Sequence, residues 1–285
     1  MAENVYTGGQ VDIPAGIPTT QLYKQLLGSR LFERIETFSN RFLATNQDLL
    51  LEYSASWVRD PLHAWSRQWE YPFVFTRIEQ FMRQKKSETS ILDAGSGVTF
   101  FPYCLVSSFD NVKLACCDND ARWGPTFAAI NTRTASSVKF AAGDVHDLPF
   151  KDDSMDVIYC ISVLEHMRSH ERVMQEFHRV LVHDGLLLLT FDLSLDSATE
   201  LSLRQAKKTI SMVQSYFPAA DPNLKQLLTL FDDKKRLLHD NSVFTFGSSL
   251  TLYQRARRNF GRRIRRINAS DSDKLTVRCL ALRKE

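Results

Sequence analysis

Apolar residues in the first 86 positions recur at the spacing of amphipathic helices. From Thr19 to about Arg59 they return every three or four positions, which predicts two or three helices. An aromatic-rich piece runs from Trp57 to Phe75, and Thr76 to Lys86 predicts one more helix. Residues 1 to about 18 are rich in glycine and proline and predict an irregular or mobile arm. We therefore expect residues 1–86 to form an N-terminal arm and a helical cap.

From Ser90 the pattern changes to short apolar runs that alternate with helical stretches. Such alternation is typical of βαβ units, and strands apolar on both sides suit a parallel sheet covered by helices on each face. The predicted strands lie near 90–94, 112–117, 137–141, 155–161 and 185–192. The predicted helices between them lie near 99–109, 121–133 and 169–182.

Beyond Asp192 this alternation is interrupted. Two helical stretches, near 196–216 and 223–239, indicate a helical insertion over about 196–268. The segment 275–283 alternates between apolar and polar residues and predicts a last, antiparallel strand. We expect residues 87–285 to form an α/β domain with a mostly parallel, Rossmann-like sheet.

Composition narrows the classes of protein that this chain could be. Its 285 residues are 44% hydrophobic and 24% charged, as in ordinary globular proteins. The longest apolar run falls far short of the roughly 18–20 residues that a membrane span requires, and the N-terminus lacks the pattern of a signal peptide. Five cysteines without a CxxC pair argue against a disulfide framework or a zinc site. We expect a cytoplasmic protein with no transmembrane segment and no metal.

A glycine turn in the segment Ile91–Gly97 is the first candidate for a binding site. Gly95 and Gly97 follow a strand and precede a helix, so a ligand could approach the main chain closely. The dinucleotide fingerprint requires a third glycine at position 100, where this chain has Phe100. An acid directly after the strand, Asp93, also departs from that fingerprint. It suits a ligand that carries an amino group and a carboxylate but no phosphate.

Acids follow the later strands at positions that extend the site. Asp118 ends the second strand, where a carboxylate can accept hydrogen bonds from both hydroxyls of a ribose. The third strand leads into Gly143-Asp144-Val145 and then Leu148-Pro149-Phe150. The fourth strand is followed by Leu164-Glu165-His166, and a segment from His178 to Leu187 leads into the fifth strand.

Taken together, these ordered elements resemble the class I S-adenosylmethionine-dependent methyltransferases over about Ser90 to Asp192. The first motif of that family corresponds to Asp93-x-Gly95-x-Gly97, although Thr99 stands where the family usually has a further glycine. The resemblance implies S-adenosylmethionine as the cofactor, with Asp118 at the ribose and Asp144 near the adenine. The cofactor-binding positions implied are Asp93, Ala94, Gly95, Ser96, Gly97, Asp118, Asn119, Asp144, Val145 and Ser162. Arg67 in the aromatic segment is a candidate for the cofactor's carboxylate or for an anionic acceptor.

Methyl transfer to a hydroxyl would need a base, and three residues are candidates. His166 follows strand four, His146 follows strand three, and Asp192 ends strand five. Ligands bind outside the carboxyl ends of the strands in such sheets, so all three could border the acceptor. Each glycine, acid or histidine singled out also has a simpler interpretation as a turn, cap or packing residue.

Seven arginines between positions 255 and 266 predict an amphipathic helix with a basic face. Such a face could bind nucleic acid, an anionic membrane or an anionic acceptor, or could simply be solvated. The leading hypothesis is a methyltransferase that acts at oxygen on a small-molecule or glycan-like acceptor. The alternatives are an RNA methyltransferase that uses this cluster, which is less favoured, and a non-catalytic methyltransferase-like binding or scaffold protein.

Overall fold

The computed structural model describes five stretches of the chain, namely 13–64, 66–85, 87–194, 201–217 and 275–285. Two predicted features, the second helix of the insertion near 223–239 and the arginine cluster at 255–266, lie outside the described residues.

Four helices precede the sheet. Their bounds are α1 Thr20–Leu27, α2 Arg30–Thr45, α3 Leu51–Ser56 and α4 Arg67–Gln84. Side-chain caps mark two of the N-termini, since the hydroxyls of Thr19 and Ser29 accept hydrogen bonds from backbone N–H groups in the first turns of α1 and α2. The three helices within 19–59 confirm the prediction from apolar spacing.

Helix α4 begins at Arg67, well before the predicted start at Thr76. The prediction was wrong because the first half of this helix is buried on all sides, and such a helix shows no polar face that would reveal its period. Pro72 lies inside it and lacks the N–H that would continue the ladder. The hydroxyl of Thr76 donates to the carbonyl of Pro72 at 2.8 Å.

A seven-stranded sheet confirms the predicted fold class. The strands follow the order β3-β2-β1-β4-β5-β6, and β7 pairs antiparallel with β5 while the other neighbours are parallel. Strand β5 begins earlier than predicted because Leu181 already pairs with Met155. The bounds are β1 Thr89–Ala94, β2 Val112–Asp118, β3 Lys139–Ala142, β4 Met155–Ile161, β5 Leu181–Ser194, β6 Leu201–Ser202 and β7 Leu275–Arg283.

Helices cover both faces of this sheet. Neighbouring strand residues point to opposite faces, so Ile91 packs into one hydrophobic core and Leu92 into the other. The N-terminal helices α1–α4 share the first core with the helices that follow β1 and β2, and the second core includes the remaining two helices. These later helices are α5 Phe101–Ser108, α6 Gly124–Thr134, α7 His170–Val180 and α8 Leu203–Tyr216.

The described part of the N-terminal arm packs on the last strand. Gly16 and Cys279 exchange two backbone hydrogen bonds of 2.8 and 2.9 Å, and Ile13 is only 1% exposed. Residues 13–18 have the irregular backbone expected from their glycine and proline content, and they are packed against the edge of the sheet. All five cysteines are free and buried. None of the described helices is both long and apolar enough to cross a membrane.

Candidate active site

The turn after β1 depends on glycine, because two of its positions take backbone conformations that other residues avoid. Gly95 has φ +78° and Gly97 has φ +52°, both in the left-handed region. The N–H of Gly95 donates to the carbonyl of Cys117 at 2.8 Å, and the N–H of Gly97 donates to Oδ2 of Asp118 at 2.9 Å. A Cβ added at Gly97 would clash with the hydroxyl of Tyr53, which lies against the turn from α3. The turn is therefore shaped jointly by β2 and by the cap.

Two carboxylates flank this turn at the ends of neighbouring strands. Asp93 is 5% exposed, and burial, with a smaller contribution from the negative charge of Asp118, raises its pKa to about 8. Asp118 ends β2, and besides accepting from Gly97 it accepts from the N–H of Asp120 at 3.1 Å. Ala94 is fully buried and Ser96 is 7% exposed, so both present little beyond their backbone to a ligand.

The loop after β3 approaches the end of β2, where the N–H of Gly143 donates to the carbonyl of Asp118 at 2.9 Å. Asp144 is exposed, and Oδ1 of this residue accepts from the N–H of His146 at 2.9 Å and lies 2.6 Å from Nδ1 of the same histidine. These bonds lower the pKa of Asp144. The side chain of Val145 packs into the core, which leaves its backbone for any ligand contact, and Asn119 is exposed.

Glu70, on the first turns of α4, is the centre of a buried polar cluster at the carboxyl ends of β4 and β5. This carboxylate is fully buried. It accepts hydrogen bonds from four side chains, which are Ser66 at 2.8 Å, Arg67 at 2.6 Å, Ser162 at 2.7 Å and Thr190. The cluster ties the cap helix to both central strands.

Arg67 brings the positive charge of this cluster. Its guanidinium donates to Glu70 and to the hydroxyl of Ser162, and its side chain is 26% exposed. Burial opposes the charge of Arg67, but the carboxylate of Glu70 outweighs that effect and its pKa is raised. Ser162 follows β4 with φ +47°, a conformation uncommon for a residue other than glycine and a form of strain that clusters at functional sites.

Glu165 and Asp192 form a carboxylate pair beside the cluster. Oε1 of Glu165 accepts from the N–H of Asp192 at 3.3 Å, and the hydroxyl of Ser66 lies 3.3 Å from Oδ1 of Asp192. Oε2 of Glu165 is buried and has no hydrogen-bond partner among the residues that the structure describes. Burial, and then the negative charge of Asp192, raise the pKa of Glu165 well above its usual range.

The structure brings three of the predicted site residues into this cluster, namely Arg67, Ser162 and Asp192. His146 instead pairs with Asp144 in the loop after β3, and its carbonyl accepts from Arg172 at 3.0 Å. His166 is exposed at the end of a short 3-10 helix over Leu164–His166.

Sequence reasoning missed Tyr53 and Glu70, which lie in helical segments where nothing in the spacing distinguishes them. Glu165 was noted beside His166 after strand four, and a capping or packing role was favoured for it. Within the described residues, no group of three or more potential ligands is arranged to hold a metal ion.

Comparison with known proteins gives this site its class. Residues 92–189 match a family described as a methyltransferase domain. A protein of Encephalitozoon cuniculi that is named as a methyltransferase is 34% identical over 107 residues, which are 36% of this chain and 44% of that protein. The chain spans about half the length of the curated relatives that it matches.

Solved structures share the fold. Phosphoethanolamine N-methyltransferase 2 of Haemonchus contortus, in complex with S-adenosyl-L-methionine, has a TM-score of 0.52 and 14% identity, covering 87% of this chain and 60% of that one. The [4+2]-cyclase SpnF has a TM-score of 0.52 and 15% identity, covering 86% of this chain and 94% of that one.

The sheet order, the glycine turn and the acids at the ends of β1 and β2 thus define a Rossmann-like domain of the methyltransferase type. Residues 92–189 are similar to a methyltransferase domain, and the sheet has the Rossmann-like fold of a solved methyltransferase that binds S-adenosyl-L-methionine. One neighbour in fold is named as a cyclase, so the fold alone does not define the reaction, which depends on the residues of the site.

Proposed function

We propose that this protein transfers a methyl group from S-adenosylmethionine to a hydroxyl of a small-molecule or glycan-like acceptor. One observation carries the proposal. The glycine turn is bound to Asp118 on one side and lies beside the buried Asp93, while a pair of carboxylates stands at the carboxyl edge of the next strands. Donor and acceptor sites would thus be adjacent at the edge of the sheet where α/β folds bind their ligands.

The residues around the turn fit the groups of the donor. Asp93 would accept hydrogen bonds from the amino group, and Asp118 those from the ribose hydroxyls. The backbone near Val145, together with Asp144, would border the adenine. Arg67, held by Glu70, has a partly exposed guanidinium that could bind the carboxylate of the donor. When bound, S-adenosylmethionine supplies a methyl group on a positively charged sulfur.

Glu165 and Asp192 would accept the proton of the acceptor hydroxyl. A carboxyl whose pKa is raised is a stronger base than an ordinary one, and Oε2 of Glu165 has no competing hydrogen bond among the described residues. The repulsion between the two carboxylates favours a state in which they share one proton. As the hydroxyl oxygen takes the methyl group, its proton would pass to this pair, and Asp192 is the one predicted base that belongs to it.

The first test is binding of the donor. Titration calorimetry should show binding of S-adenosylmethionine and S-adenosylhomocysteine, and Asp118→Asn should weaken both by at least about tenfold. The matched control is Asp110→Asn, because Asp110 is an exposed acid that precedes the same strand. Failure of the folded protein to bind either compound would refute the proposal, and unchanged affinity in Asp118→Asn would refute the ribose assignment.

The second test addresses the acceptor. Donor labelled in the methyl group is offered with pools of hydroxyl-bearing metabolites and glycans and, separately, with total RNA. Glu165→Gln should slow labelling of the hydroxyl acceptor by about 10²–10⁴-fold and leave donor affinity within about twofold. If only RNA is labelled, the RNA alternative is favoured over a small-molecule or glycan-like acceptor. The arginine cluster that this alternative invokes lies outside the described residues.

A cytoplasmic location is part of the proposal. Its support is the state of the five cysteines, which are all free and buried in the fold, as is usual for proteins of a reducing compartment.

A further inference from the structure

A second cleft lies between the C-terminal half of α4 and strand β7, away from the polar cluster. Its volume is about 190 Å³. Two arginines and two glutamines line it, Arg77, Gln80 and Gln84 from the helix and Arg283 from the strand, and Phe81 forms part of its apolar wall. A cleft lined by two guanidinium groups and two amides offers more hydrogen-bond donors than acceptors.

Neither guanidinium is neutralised in the described part of the chain. Arg77 donates to the amide oxygen of Gln80 at 3.0 Å and to the carbonyl of Ile13 at 3.0 Å, while its Nε is buried without a hydrogen-bond partner. Arg283 donates to the carbonyl of Asp184 at 2.8 Å and stacks over the ring of Phe81. No carboxylate of the described residues forms an ion pair with either arginine, although the charge of Asp184 partly offsets that of Arg283.

Burial lowers the pKa of Arg283, which means that its charge is held at a cost in this cleft. Two like charges that share one cavity also repel each other, and an anion bound between them would relieve both effects. Guanidinium groups bind carboxylate and phosphate oxygens in a forked geometry. Here the donors belong to four side chains on two elements of the cleft wall, an arrangement that suits a tetrahedral oxyanion better than a planar carboxylate.

We propose that this cleft binds a phosphate group, either as the free ion or on a small phosphorylated metabolite. The site is separate from that of methyl transfer. Arg77 follows Arg67 by about 15 Å of helix rise. Arg283 pairs with Leu186, which lies opposite Val157 near the start of β4, whereas the polar cluster lies at the other end of that strand.

The test is the thermal unfolding of the full chain in increasing inorganic phosphate, with ionic strength held constant by sodium chloride. Because a ligand of the folded state raises Tm in a saturable way, we expect a Tm increase that levels off below about 50 mM phosphate. Gln80→Glu retains the hydrogen bond to Arg77 and adds a negative charge, so it should weaken phosphate binding at least about tenfold without lowering Tm in phosphate-free buffer. Gln175→Glu on α7 is the matched control, since Gln175 is exposed and remote from the cleft.

Arg283→Gln is the second variant and should abolish the phosphate response as well. Sulfate should act like phosphate, and acetate should have at least about tenfold lower affinity. The proposal is overturned by a phosphate response that does not saturate, by equal responses in Gln80→Glu and Gln175→Glu, or by acetate binding as tightly as phosphate. A phosphorylated sugar that binds more tightly than the free ion would identify a metabolite as the source of the phosphate.

Discussion

Asp93 links the affinity for the proposed donor to pH. This carboxyl is nearly inaccessible, and burial raises its pKa to about 8, so it is mostly protonated at neutral pH in the protein without ligand. To accept hydrogen bonds from an ammonium group it must first lose that proton. Since the folded state holds the proton more tightly than the unfolded chain, ionisation of Asp93 also lowers the free energy of unfolding as pH rises from about 4 to 8.

We therefore expect the affinity for S-adenosylmethionine to rise about tenfold per pH unit between pH 6 and pH 8. Titration calorimetry in buffers of different ionisation enthalpy would measure this slope together with the proton released. Asp93→Asn should bind weakly at every pH and show no such slope, while Asp110→Asn should behave like the unmodified protein. A flat profile from pH 6 to 8 would contradict the assignment of Asp93.

The contact of Tyr53 with the glycine turn could not be predicted from the sequence. The pKa of Tyr53 is raised by burial and then by the negative charge of Asp118. The ring lies against Gly97, and its centroid is 5.3 Å from that of Trp123. A tyrosine on a helix has the same local signature whether it packs in a core or against a glycine turn. The identity of the acids at 93 and 118 could be read from their place after strands, whereas the role of Tyr53 could not.

Besides its apolar packing, helix α4 is bound to Ser162 and to strand β5 by one fully buried carboxylate, that of Glu70. Replacing Glu70 by Gln keeps the shape but turns one acceptor oxygen into a donor that faces hydroxyls and a guanidinium. We expect Glu70→Gln to lower the free energy of unfolding by about 2–4 kcal/mol, because it breaks a buried charge pair and leaves donors unsatisfied. Denaturant unfolding would measure this loss. Glu79→Gln, on the same helix and in an ion pair with the exposed Arg83, is the control and should cost much less.

The connection between α3 and α4 carries a histidine clamp. Nδ1 of His63 lies 2.7 Å from Asp60, and Nε2 lies 2.9 Å from Glu36 on α2. The hydrogen bond to Asp60, against an opposing effect of burial and with help from Glu36, raises the pKa of His63 to about 9. Protonated His63 thus joins two elements that are distant in sequence.

We expect this clamp to stabilise the fold in a pH-dependent way. Because the pKa of His63 is raised from 6.5 to about 9, its stabilisation is fully present below pH 6.5 and is lost as pH rises to about 9. The Tm difference between the unmodified protein and His63→Ala should therefore shrink over that interval. His183→Ala removes a histidine that is 74% exposed and should show no comparable trend. A Tm difference that stays constant up to pH 9.5 would rule out a charged clamp.

At the scale of the whole molecule, the first described residues complete the last strand. Ile13 and Ile17 are buried, and Gly16 extends the sheet beyond β7. Deleting residues 1–18 would remove both side chains, expose the apolar surface that they cover and break two backbone hydrogen bonds. We expect the free energy of unfolding to fall by about 3–5 kcal/mol, mostly from lost apolar burial. Denaturant unfolding of this deletion and of a shorter one, 1–10, which keeps Ile13 to Ile17, would measure the difference in the free energy of unfolding. Equal stability of the two deletions would contradict the prediction.

The sequence by itself determined the order of strands and helices along the chain and the position of the glycine turn. Periodicity and turn residues are local properties, so the strands from Ser90 to Asp192, the glycine turn and the acids at the ends of β1 and β2 could be predicted from neighbours in the chain. The start of α4 could not, because a helix buried on all sides carries no polar face.

Only the tertiary structure decided which side chains meet around the proposed reaction. Glu70, Ser162 and Thr190 come from helix α4, the loop after β4 and strand β5, and no pattern within any of these segments refers to the others. The same holds for Glu165 beside Asp192 and for Arg77 beside Arg283. The physical reason is that burial, pKa and hydrogen-bond partners are properties of packed surfaces, and these arise when the cap closes on the sheet.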